Sequence, residues 1–150
     1  MAGVMHCKNP VNELDWLRQH DLTTATRREF DWVFAFSGGV LLVVSCLWRL
    51  IEEGRIRLTS SDDGHQFGLP APVDAERLLN EMLAGSRVLA VNLQDGTLDL
   101  QLKFDNGRSV EIIPDSSGYE AWTLQRLEQQ YIAVGGGTLS VWDTSPKDRA

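Results

Sequence analysis

The sequence predicts an α+β domain: a mainly antiparallel, strongly twisted sheet of about eight strands that curls toward a half-barrel, with one helix packed across it. Three observations carry this. First, Leu98, Leu100, Leu102 and Phe104 recur at every second residue, with Thr97, Asp99, Gln101 and Lys103 between them, so one face meets a core and the other meets water. Second, Asp95-Gly96 and Asn106-Gly107 punctuate the stretch Arg87–Pro114 as hairpin bends, where glycine supplies positive φ without steric cost. Third, Ala75, Leu78, Leu79, Met82 and Leu83 follow the i, i+3, i+4, i+7, i+8 stripe of a helix with a single apolar face.

The elements follow in order. Residues 1–10 read as a disordered tail. Asn12 caps a short helix that ends near His20, with Glu13 and Asp15 in its first turn and Val11 and Trp16 placed to staple it. Thr23–Thr26 lacks a helical stripe and reads as a connector. Phe30, Trp32, Phe34 and Phe36 form the aromatic face of a strand, and Gly38-Gly39 closes a hairpin onto the central strand Val40–Ile51. Glu52-Glu53-Gly54 turns the chain into Arg55–Thr59. Ser60–Pro72 is a long loop, after which Asp74 caps the helix Asp74–Ala84 and Gly85 ends it in the left-handed conformation. Beyond the central ribbon, Pro114–Gly118 is a loop, Tyr119–Leu124 alternates again, and Arg126–Gln130 turns. Tyr131–Val134 and Thr138–Trp142 form a last hairpin around Gly135-Gly136-Gly137. Residues 143–150 read as a second disordered tail. The whole chain, 1–150, reads as one domain, and a chain of this length buries roughly 70% of its unfolded surface.

Composition excludes some classes of partner. A net charge of −7 argues against nucleic acid and anionic membrane surfaces, both of which ask for basic patches. The opening residues do not read as a signal peptide, and the longest apolar block, Val40–Leu47, is too short to span a bilayer. Cys7 and Cys46 do not make a disulfide framework, so the expected compartment is a reducing cytoplasm.

Candidate chemistry is sparse. Asp62-Asp63-Gly64-His65 sets two carboxylates beside an imidazole, the beginning of a metal site or an acid/base pair. No third ligand is evident, so no metal is expected; a turn whose aspartates bond their own backbone has the same composition. Adjacent His6 and Cys7 near a terminus do not hold the geometry that a thiolate and its base require. The triglycine precedes a strand rather than a helix, which argues against a phosphate cradle. Tyr119-Glu120-Ala121-Trp122 sets an acid between two aromatics, as a ligand pocket or a protein interface does, and as a half-buried strand does equally. Hydrolase, P-loop, Rossmann and zinc-protease signatures are missing, and no cofactor is expected.

Several segments together carry a likeness: Trp48-Arg49-Leu50, Gly54-Arg55-Ile56, Thr59–Ala75, Phe104-Asp105-Asn106-Gly107, Ser117–Trp122 and Gly135–Trp142. Over roughly residues 30–142 the chain resembles a family of short, uncharacterised bacterial proteins that form a domain of unknown function. The resemblance implies a bacterial origin and a shared fold. It brings no catalytic residues.

The expected function is therefore a non-enzymatic module that binds a protein partner, either another protein or a second copy of itself through an open sheet edge. By analogy, an immunity-type protein that blocks a basic toxin fits the same description. The alternative is a small enzyme or small-molecule binder with a pocket between Ser60–Pro72 and Tyr119–Trp122. The candidate binding residues are Asp63, His65, Tyr119, Glu120 and Trp122.

Overall fold

A computed structural model of the chain describes residues 5–7 and 13–143. Among these residues twin sheets, both antiparallel throughout, share one core. The first has seven strands, in the order β1 (Met5–Cys7), β12 (Thr138–Asp143), β11 (Gln129–Val134), β10 (Trp122–Arg126), β4 (Val40–Val44), β3 (Trp32–Phe36), β2 (Leu22–Arg27). The second has five, in the order β6 (Arg55–Thr59), β5 (Leu47–Glu52), β9 (Arg108–Ile113), β8 (Leu100–Phe104), β7 (Val88–Leu93). The mainly antiparallel architecture with one α-helix is as expected. The single curling sheet of about eight strands is not: its place is taken by two sheets packed face to face.

The division falls inside the expected central strand. Val40, Leu42 and Val44 are buried in the first sheet, and Trp48 and Leu50 are buried in the second. Between them the chain passes from one sheet to the other at Ser45-Cys46, where the Ser45 N–H donates to the Ala121 carbonyl at 2.8 Å. Across the core Trp48 meets Trp32 edge to face, with ring centroids 5.0 Å apart, and meets Phe34 at 6.2 Å. The Trp122 indole N–H donates to the Leu98 carbonyl at 3.0 Å, a second tie between the sheets. All four residues of the Leu98–Phe104 alternation are buried. Leu98 itself lies outside the strand, at φ 62°, in a turn that runs from Gln94 to Asp99 and is wider than the two-residue bend expected at Asp95-Gly96.

The helix α1 (Ala75–Leu83) buries Ala75, Leu79 and Leu83. The Asp74 side chain accepts from the Arg77 N–H at 3.2 Å, and Gly85 takes the left-handed conformation at φ 88°. The helix does not lie over the open face of a single sheet, because the opposite sheet covers that face. It packs instead against β2 and β6, one edge of each sheet. There its polar side chains replace a missing strand. Asn80 Nδ2 donates to the Ala25 carbonyl at 2.7 Å, its Oδ1 accepts from the Ala25 N–H at 2.8 Å, and Glu76 accepts from the Arg27 N–H at 2.9 Å. The free edge of β2 is thereby satisfied by side chains.

Other differences are local. Thr23–Thr26 is not a connector but part of β2. The N-terminal helix is a single 3₁₀ stretch, Asp15–Gln19, with Leu14 and Leu17 buried beneath it. The aromatic alternation stops at Trp32, since Phe30 occupies the β2–β3 turn and is 85% exposed. In the expected turn Arg126–Gln130 only Leu127 and Glu128 turn, and strand β10 begins at Trp122 rather than Tyr119. The staple and cap residues Val11 and Asn12 lie outside the described residues. So do the expected tails 1–10 and 143–150, apart from Met5–Cys7 and Asp143, which stand in strands.

Candidate functional site

Three connections converge at one end of the two-sheet core. The first is the β2–β3 turn. Arg28 and Asp31 close it with a two-pronged ion pair, Nε to Oδ1 at 2.5 Å and an Nη to Oδ2 at 2.7 Å, and the Arg28 N–H donates to the Asp31 carbonyl. The Arg28 hydrogen bond holds the Asp31 carboxyl below its usual range. Such a clamp leaves Glu29 and Phe30 at the tip, facing water. The second connection is the crossing at Ser45-Cys46. The third is the loop 114–121. Ser116 Oγ accepts from the backbone N–H groups of Gly118 and Tyr119 at 3.1 and 3.0 Å, which fixes the turn that presents Tyr119, 82% exposed.

Together these segments form a groove of about 630 Å³ lined by Phe30, Ser45, Asp115, Ser116, Gly118, Tyr119, Glu120 and Ala121. Asp115 and Glu120 are exposed, and neither has a hydrogen bond or ion pair among the described residues. The nearby arginines of the same turn are engaged elsewhere: Arg28 on Asp31, and Arg27 on Asp63 at 3.0 Å and Asp74 at 3.8 Å. The groove therefore combines two wet aromatic rings with two uncompensated carboxylates.

The loop 114–121 is pinned from behind by close backbone packing. A Cβ placed on Gly135 would come within 2.5 Å of the Gly118 carbonyl carbon. A Cβ on Gly137 would penetrate the Gly96 carbonyl oxygen. The triglycine is thus a hairpin turn, as expected, whose missing side chains let three turns touch.

The expected site residues separate into distinct places. Tyr119 and Glu120 line the groove. Trp122 points the other way and is buried in the core. Asp63 binds the Ala75 N–H at 2.9 Å and the Arg27 guanidinium, so its carboxylate holds the start of α1 against β2. His65 is exposed and stacks on Phe67, with ring centroids 5.6 Å apart. No residue of 60–72 lines the Tyr119–Glu120 groove. Among the described residues no three His, Cys, Asp or Glu side chains cluster as metal ligands. Phe30, Ser45 and Asp115 were not singled out by sequence reasoning. Only the continuity of the Phe30–Phe36 alternation bore on Phe30, and it pointed the ring into the core.

A second concavity, of about 450 Å³, lies on the outer face of the five-stranded sheet. Thr59, Arg49, Glu111, Gln101 and Asn92 are cross-strand neighbours in one row there. Arg49 pairs with Glu111 at 3.0 Å, and Asn92 donates to Gln101 at 3.0 Å.

Cys46, at the crossing, is half-buried, and burial together with the charge of Asp115 pushes its thiol up from 9.0 to about 12. Three units reduce the thiolate fraction about a thousandfold at neutral pH. In a Cys7→Ser background, iodoacetamide at pH 8 is expected to label Cys46 far more slowly in the native protein than in urea, read by mass spectrometry; equal rates would refute the assignment. The neutral thiol is the form that the fold prefers. Its contribution is complete below pH 9 and fades as pH rises toward 12.

These features define a two-sheet antiparallel domain with an open aromatic and acidic groove at one end. The chain belongs to a family of unknown function, DUF6188, whose model matches residues 14–143. No curated protein and no solved structure matches it.

Proposed function

We propose that the protein is a non-enzymatic module that acts by binding a protein partner at the Phe30–Tyr119 groove. The observation that supports this is the exposure of both rings, 85% and 82%, on one groove. Large aromatics held in water by rigid turns are the residues that anchor protein interfaces. At two of the four outer strands, β2 and β6, pairing with a second copy is disfavoured. The β2 edge is already occupied by Asn80 and Glu76, and self-pairing of the β6 edge would bring Arg55 and Arg57 near their own copies. An immunity-type role, blocking a basic protein, is one form that such binding takes.

Photo-crosslinking tests the reading. Benzoylphenylalanine in place of Phe30 or Tyr119 is expected to give discrete protein adducts in cells. The same group in place of Leu127, which is 87% exposed in the β10–β11 turn, is expected to give none. Equal adducts at all three positions would sink the assignment. Small-molecule binding is the second reading, and what favours it is the row of Arg49, Glu111, Gln101 and Asn92 in its own concavity. Adducts absent at positions 30 and 119 would move attention there.

A further inference from the structure

We propose that the occupant of the groove is a cationic side chain, arginine or lysine, carried by the partner; this rests on the protein-binding reading above. The inference comes from the combination of surfaces rather than from the acids alone. Phe30 and Tyr119 line the same space with most of each side chain in water, and an aromatic ring attracts a cation through its quadrupole. Asp115 and Glu120 line that space without a counter-charge among the described residues. The arginines that could have supplied one, Arg27 and Arg28, are tied to Asp63, Asp74 and Asp31. The groove thus holds half of two interactions, cation–π and charge-assisted hydrogen bonding, and one guanidinium or ammonium group completes both. Ser45 lines the same groove. A net charge of −7 draws a basic segment toward the molecule and repels phosphate-bearing partners. A purely apolar anchor would leave Asp115 and Glu120 desolvated without a partner, which disfavours it.

The test uses the full chain and a phage-displayed library of random peptides. Peptides are selected on the wild type and counter-selected on Phe30→Ala/Tyr119→Ala. Both rings are exposed, so this variant is expected to keep the wild-type circular dichroism spectrum. The selected peptides are expected to be enriched in arginine or lysine. Replacing the selected arginine by citrulline, which keeps the shape and removes the charge, is expected to weaken binding at least about tenfold by calorimetry. Asp115→Asn/Glu120→Gln is expected to weaken it by a similar factor and to flatten its dependence on salt. Peptides that need the rings yet tolerate citrulline would overturn the cationic occupant and leave the protein-binding reading in place. A library that yields no ring-dependent peptide would overturn both.

Discussion

Gly137→Ala is expected to destabilise the fold by about 4 kcal/mol, the sum of a strained backbone and a steric overlap. Gly137 sits at φ 89°, where an L side chain is unfavourable by itself. The added Cβ also collides with the Gly96 carbonyl, which belongs to the turn between β7 and β8 in the opposite sheet. Backbone cannot rotate away as a side chain can, so the two turns must separate. Two neighbours divide the causes. Gly136→Ala meets the same φ penalty, at 87°, but its nearest atom, the Ser117 carbonyl oxygen, stays 3.6 Å away, so about 1 kcal/mol is expected. Gly135 has no positive φ, yet its Cβ would come within 2.5 Å of Gly118, so Gly135→Ala isolates the clash. Urea midpoints for the three variants check the ranking. A Gly137 variant no weaker than the Gly136 variant would show that the turns do not touch in solution.

Asn80→Asp is expected to lower stability by about 2–3 kcal/mol, more than Asn80→Ala. The amide of Asn80 donates to the carbonyls of Ala25 and Glu76, both at 2.7 Å, while its oxygen accepts from the Ala25 N–H and the Thr24 hydroxyl. A carboxylate keeps the acceptor and turns the donor into a second oxygen facing two carbonyls. Alanine merely leaves the Ala25 N–H and carbonyl without partners, while Glu76 still accepts from the Arg27 N–H. Chemical denaturation at pH 7 ranks the three proteins. Should the aspartate variant match the wild type, the helix does not hold that edge. Amide exchange of Ala25 gives a local reading, because its N–H loses its acceptor only in the alanine variant.

How far the sequence disclosed this molecule depends on the range of each interaction. The Leu98–Phe104 alternation, the α1 stripe and the glycine turns are local patterns, and they appear as expected. Strand β2 escaped because its register shifts between Leu22 and Thr24, so that its buried residues, Leu22 and Ala25, lie three apart instead of two. The second sheet escaped because Val40, Leu42, Val44, Trp48 and Leu50 keep even parity straight through Ser45-Cys46. Alternation reports which face is inward and is silent on which sheet the residue has joined. Of the groove, Tyr119 and Glu120 were legible as an aromatic and acidic cluster. Phe30 was not, since it continues the parity of Trp32 while sitting past the end of the strand. Asp63 was legible as a turn former, whereas its hold on Arg27 depends on contacts 36 residues away.

The groove is built from connecting segments, and none of its walls is a strand of either sheet apart from the turns that join them. Exchanging Phe30, Ser45, Asp115, Tyr119 or Glu120 therefore leaves the pleated layers undisturbed. Under the proposed binding role, such an arrangement makes the domain a chassis whose selectivity is open to change at five positions, while the interior that keeps it folded stays as it is.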